Sequence, residues 1–244
     1  MRALVFCAAA VVSAVLHAEP SATTPVMRPD RHWWALARHA EILKRLESEK
    51  DRRYDLVMIG DSITHRWERQ DCGGAVYPDL CRRYKVLNLG CGGDRTQHVL
   101  WRLDHGALGQ DYPYTAKVFM VLVGVNNVDD SAEDVAAGVK AVVDRIRLAH
   151  PESKVLLLPI FPSGEEPLKD ERVNGANRII RTLADGRDVA LLDFGAKFLD
   201  EAGRIRPGLM MADNLHPIKA GYELWLEELC PSIDGLLGLG CSTK

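Results

Sequence analysis

The run Leu56-Val57-Met58-Ile59 passes directly into Gly60-Asp61-Ser62, four apolar residues ended by a turn that carries a hydroxyl. A short continuous apolar run bounded by turn residues reads as a strand buried on both faces. Four more runs have this form, at residues 86–89, 118–123, 155–158 and 189–192. Helical patterns separate most of them. One covers residues 96–103, and a long one covers 131–149, opened by Ser131 with Asp134 three positions on, a variant of the capping box. Others cover 170–184 and 217–229, the last with Tyr222 and Trp225 as core positions. Ahead of the first strand, residues 33–50 read as an amphipathic helix with Trp34, Leu36, Ile42, Leu43 and Leu46 as candidate apolar positions. Apolar strands alternating with helices predict one α/β domain built on a five-stranded parallel sheet covered on both faces.

Composition agrees with this. A chain of 244 residues allows one domain or a cramped two, and neither a repeat nor a break in composition marks a second. At 47% hydrophobic and 27% charged it is neither disordered, collagen-like nor a multi-span membrane protein. Its net charge of −3 argues against a nucleic-acid partner, which would demand a basic surface. The N-terminus reads as a targeting segment. Met1-Arg2 is a positive start, residues 3–16 are apolar or small, and Ala18 precedes Glu19 at a plausible cleavage point. The apolar stretch is shorter than the roughly 20 residues a membrane span needs. The expectation is therefore a signal peptide over 1–18 and an exported protein, periplasmic or extracellular, with no stable membrane insertion once the signal is removed. Residues 21–31, with two prolines, read as a linker or extended arm.

In an open parallel sheet, ligands collect outside the carboxyl ends of the strands. The residues there are Gly60-Asp61-Ser62, Gly90-Cys91-Gly92-Gly93-Asp94, Gly124-Val125-Asn126-Asn127 and Pro159-Ile160-Phe161-Pro162, joined late in the chain by Asp213-Asn214-Leu215-His216-Pro217. Serine is a poor nucleophile until a base takes its proton. His216 is the candidate base, and Asp213, three residues earlier, is placed for a turn to bring its carboxylate to one imidazole nitrogen. The Gly93 and Ser62 N–H groups and the Asn126 amide are candidate donors to the oxyanion of a tetrahedral intermediate. Each motif alone is commonplace as a turn or a helix cap. Their joint occurrence, in order and each beside a strand end, carries the reading.

Those blocks resemble the SGNH (GDSL-type) hydrolases, in the branch similar to the platelet-activating-factor acetylhydrolases. Residues 57–64 resemble the first block, with Ile63 where the family name has Leu. Residues 88–103 resemble the second, and Gly124-Val125-Asn126-Asn127 and Asp213-Asn214-Leu215-His216 the third and fifth. Many members have Asp where this chain has Asn127. The likeness spans about residues 54–229. It implies a flavodoxin-like three-layer α/β/α sandwich, Ser62 as nucleophile with Asp213 and His216 completing the triad, an oxyanion hole of Ser62, Gly93 and Asn126, and no metal or organic cofactor. With the arm and helix read above, the chain divides into an N-terminal arm and helix over 19–53, the hydrolase domain over 54–230 and a C-terminal tail over 231–244; by analogy with that branch, the resemblance also implies a homodimer.

The function expected is that of an exported serine esterase removing short acyl groups, acetyl foremost, from a small-molecule or glycan ester, an acetylated carbohydrate being a plausible substrate. The alternatives are a lysophospholipase or thioesterase with the same triad, and a non-catalytic ligand-binding module on the same scaffold. Among the other histidines, His17 leaves with the signal; His32, His39 and His150 are expected in solvent; His65 is a candidate to line the cleft; His98 and His105 read as structural. Arg95, Trp101 and Arg102 are expected in packing or ion pairs near the site. No His/Cys/Asp set has metal-ligand spacing. Cys7 falls in the signal. In an oxidising compartment, Cys72–Cys81 and Cys230–Cys241 are the expected disulfides, with Cys91 free.

Overall fold

A computed structural model describes residues 21–28 and 33–239. Five strands, β1 (Arg53–Gly60), β2 (Val86–Asn88), β3 (Thr115–Leu122), β4 (Lys154–Leu157) and β5 (Val189–Leu191), form one sheet in the order β2-β1-β3-β4-β5. Every pairing is parallel, with Leu56 facing Val86 on one side and Val118 on the other. The five expected runs are the five strands. The helices are α1 (Trp33–Ser48), α2 (Ser62–His65), α3 (Tyr77–Arg83), α4 (Thr96–Arg102), α5 (Ala132–Ala149), α6 (Glu171–Arg181) and α7 (Lys219–Leu237). Together they make a three-layer α/β/α sandwich of the flavodoxin-like type. Residues such as Leu56, Val57, Met58, Val118, Phe119 and Met120 have no exposed surface, as strands covered on both faces require.

Local sequence accounts for many boundaries. The Ser131 hydroxyl accepts the Asp134 N–H and caps α5, as its position predicts, and Asp170 caps α6 through the Val173 N–H. An aromatic cluster of Trp67, Tyr222, Trp225, Phe161 and Phe198 joins α7 to the carboxyl end of the sheet. The expected boundary at residue 230 falls inside α7, which runs through Pro231 to Leu237 and ends at Gly238 in the left-handed conformation.

Helix α1 departs from expectation on its buried face. That face is Ala35, His39, Ile42 and Leu46, whereas Trp34 is 37% exposed and Leu36 and Leu43 are half-buried. The reason lies across from it. Strand β2 is an edge, and α1 covers that edge with arginines: Arg45 donates to the Val86 carbonyl (2.9 Å), and Arg38 donates to those of Asn88 (3.1 Å) and Gly90 (3.2 Å). Alternate outward carbonyls that would invite another strand are thereby satisfied.

Candidate active site

Ser62 opens α2, directly beyond β1. Gly60 makes the turn possible, because a Cβ there would stand 2.2 Å from the Thr64 Oγ1 and 2.3 Å from the Leu122 carbonyl oxygen. Asp61 accepts the Ile63 N–H (2.9 Å), and Tyr222 of α7 donates its hydroxyl to the Ile63 carbonyl (2.6 Å). The serine is thus held from both sides. Burial, reinforced by the nearby Asp94 charge, pushes the Asp61 carboxyl up to about 7.

The serine hydroxyl meets His216 Nε2 at 2.8 Å, and His216 Nδ1 meets Asp213 Oδ2 at 2.6 Å. Asp213 also accepts the backbone N–H groups of Leu215 (2.9 Å) and His216 (3.0 Å) through Oδ1. Asn214, at φ +49°, supplies the left-handed residue of this turn, a conformation asparagine tolerates better than most. Burial works against the Asp213 charge, but the bonds from the His216 ring and the two N–H groups outweigh it and hold the carboxyl below its ordinary value. With Nδ1–H donating to the carboxylate, Nε2 is the acceptor that faces the serine hydroxyl. Such a relay can take a proton from a serine and return it to a leaving group.

Gly92 and Gly93 run past Ser62. A Cβ on Gly92 would lie 3.8 Å from Ser62 Cβ, 3.6 Å from the Trp34 ring and 3.9 Å from His65 Nδ1. Gly93 has φ +67°, a value suited to glycine. The Gly92 N–H donates to His65 Nδ1 (3.3 Å), and the Gly92 carbonyl accepts from Arg28 Nη1 (2.8 Å). His65 does line the cleft; burial, then the nearby arginines, lower it to about 4, so its ring is neutral and can accept. The Asn126 amide donates to the Asp94 carbonyl (3.0 Å), which sets it beside the glycine pair with one amide hydrogen still available. Asn127 is wholly buried. Its Oδ1 accepts the Thr96 N–H and its Nδ2 reaches Thr96, Gln97 and Asp130, so it ties the third loop to the second.

Below the glycines, Asp94 is gripped by Arg102, Nε to Oδ2 at 2.6 Å and Nη2 to Oδ1 at 3.2 Å, and approached by Arg28 at 3.5 Å. Trp101 stacks on His105, and Arg95 pairs with Asp129 at the surface. Arg28 and Trp34 are site neighbours that sequence reasoning missed. One lies in an arm without periodicity and the other seemed a core position. The only hint was the glycine pair, which marks a place where something approaches the backbone closely.

Three expectations are corrected. His39 is buried against Trp101 and bonded to the His105 carbonyl, and burial lowers it to about 4. His150 is likewise lowered by burial and stacks on Tyr114. Cys72 and Cys81 are free thiols: Cys72 is buried toward Arg66, and Cys81 is exposed on α3. Cys91 is free as expected, and burial pushes its thiol up to about 12. Cys230 is a free, buried thiol; its expected partner Cys241, like the signal segment and His32, lies outside the described residues. Among the described residues no group of three or more His, Cys, Asp or Glu side chains is placed to hold a metal ion, and no helix is long and apolar enough to cross a membrane.

The chain matches the GDSL-like lipase/acylhydrolase family over residues 58–224. It is 35% identical over 177 residues to the platelet-activating factor acetylhydrolase IB subunit alpha2 of Homo sapiens, covering 71% of this chain and 73% of that one. In fold it is similar to a GDSL-like lipase of Bacteroides thetaiotaomicron, with a TM-score of 0.61 at 17% identity over 81% of this chain and 97% of that one. It is also similar to the acetylxylan esterase Axe2 of Geobacillus stearothermophilus, with a TM-score of 0.58 at 17% identity over 74% and 94%. The chain belongs to the GDSL-like lipase/acylhydrolase family and is an ester-hydrolysing serine hydrolase.

Proposed function

We propose that this hydrolase removes short acyl groups, acetyl foremost, from an ester whose alcohol part is a carbohydrate, and that it does so outside the cytoplasm. The observation that carries the chemistry is the unbroken relay from the Ser62 hydroxyl to His216 at 2.8 Å and on to Asp213 at 2.6 Å. In this reading His216 takes the hydroxyl proton as Ser62 Oγ bonds to the acyl carbon. Asp213 holds the ring tautomer and offsets the imidazolium charge, and the proton then passes to the departing alkoxide. Water repeats the cycle on the acyl-enzyme and releases the acid. The Gly93 and Ser62 N–H groups and the Asn126 amide stabilise the oxyanion at both stages.

The acyl preference is supported by the relative above 30% identity, an acetylhydrolase by name. The carbohydrate is supported by Trp34, 37% exposed beside Gly92, since an indole ring suits the apolar face of a sugar ring. Export rests on the character of residues 1–18.

Ser62→Ala should abolish hydrolysis of a short-chain nitrophenyl ester while leaving the melting temperature intact; retained turnover refutes the assignment. In the wild-type protein, acetylated sugars should outperform lysophospholipids and long-chain esters. The reverse order would make it a lysophospholipase or thioesterase with the same relay.

A further inference from the structure

The polypeptide before α1 returns to the cleft. Ala22 is fully buried and accepts from Thr96 Oγ1 (2.8 Å), and the Val26 N–H donates to the Gln97 carbonyl (3.1 Å). This lays the arm across the start of α4 and delivers Arg28 to the glycine pair. There the guanidinium stacks over the Trp34 ring, 4.8 Å from its centroid, and donates to the Gly92 carbonyl at 2.8 Å. It also lies against Gly93, where a Cβ would meet Nη1 at 2.8 Å. Only 10% of the Arg28 side chain is exposed, so it is a fixed group and no free surface charge.

The consequence follows from peptide geometry. The Gly92 carbonyl and the Gly93 N–H belong to one planar trans peptide and point in opposite directions. Whatever grips the carbonyl aims the N–H. This peptide is unusually free to turn over, because both flanking residues are glycines with little steric penalty for either orientation. The neighbouring peptides are held within the domain: the Cys91 N–H donates to the Gly60 carbonyl, the Asp94 N–H to the Cys91 carbonyl, and the Gly92 N–H to His65. The Gly92–Gly93 peptide is held from the arm, and its Gly93 N–H meets no acceptor among the described residues.

We infer that Arg28 is a positioning residue for the oxyanion hole, with the N-terminal arm locking the Gly92–Gly93 peptide so that the Gly93 N–H faces the reacting carbonyl. This rests on the reading of Gly93 as an oxyanion donor and extends it to a residue outside the motif-bearing domain. A charged donor on the carbonyl also polarises the peptide and strengthens the N–H as a donor. Removing one oxyanion donor outright costs about 10²–10³ in kcat, so releasing its anchor costs less than that ceiling.

The test uses the whole chain and four proteins: wild type, Arg28→Ala, Arg28→Lys and Ser62→Ala. With a nitrophenyl acetate ester, Arg28→Ala should lower kcat about 10- to 100-fold with KM nearly unchanged. Affinity for a boronic acid that forms a tetrahedral serine adduct should fall by a similar factor. Arg28→Lys, and added guanidinium at concentrations too low to unfold the protein, should recover part of the loss. Unchanged kcat in Arg28→Ala, or a loss in kcat with unchanged boronate affinity, overturns the inference. Ser62→Ala separates the two readings. Turnover that survives this change removes the Ser62 assignment, whereas turnover that needs Ser62 and ignores Arg28 overturns only the role of the arm.

Discussion

Asp94 and Asp213 each lie 2.6 Å from a basic nitrogen, and the two pairs are built differently. Asp94 meets Arg102 with its side chain fully buried and that of the arginine 5% exposed. Asp213 meets His216 with its side chain 44% exposed. The first pair joins a permanent cation to an acid that burial would otherwise drive to neutrality, so each partner needs the other. It holds the second loop against α4 and gives no proton away. The second pair joins an acid that is half in solvent to an imidazole, a ring that in the proposed mechanism gains and loses charge during turnover. Distance alone does not tell a fastener from a relay. Burial and the identity of the base do.

That contrast can be attacked at three strengths. Arg102→Met leaves the buried Asp94 without its bidentate partner. It should cost about 3–5 kcal/mol of stability, read as a fall in melting temperature of roughly 10 °C, with activity lost alongside. A variant that melts like the wild type would mean Arg28 alone satisfies Asp94.

Asp213→Asn should do the reverse. Melting should hardly move, because the side chain is half in solvent, while kcat drops on the order of 10³-fold as the ring tautomer is lost. A loss under tenfold would show that the His216 ring is oriented by something other than this carboxylate.

The mildest test touches Asp61, a third carboxyl, buried beside Ser62 and without a cation. Its value of about 7 in the folded protein lies above its ordinary 3.8. The folded state therefore holds a proton that the unfolded state has released, and the stability contributed by this group is full below pH 3.8 and lost as pH climbs to 7. Asp61→Asn should stabilise the protein by about 1–2 kcal/mol above pH 7, with a smaller gain at pH 5. A gain independent of pH would mean that Asp61 stays charged throughout.

The strands, most helices and the Asp213–His216 pair were legible in the chain because their signals are local. Runs of four to six apolar residues mark strands buried on both faces, and Ser131 caps the helix that begins at the next residue. Asp213 and His216 lie three residues apart, close enough for one turn to join them. The histidines were harder to read. His39 sits in a helix whose exposed residues look like a surface, yet its ring is sealed by Trp101, 62 positions away in the chain.

The residue pattern was thus sufficient for the α/β architecture and for the order of chemical groups along the carboxyl edge of the sheet, since periodicity and turn chemistry reflect neighbours in the chain. It was not sufficient for the cysteines, where a nine-residue separation suggested a bridge that the orientation of α3 does not make. Nor could it reveal that Arg28 crosses to Gly92, 64 positions on, or that arginines of α1 satisfy the carbonyls of an edge strand. Those contacts join segments with no common period. They form only once the sheet has brought distant loops to one edge, where a backbone carbonyl needs a donor and a glycine leaves room for one.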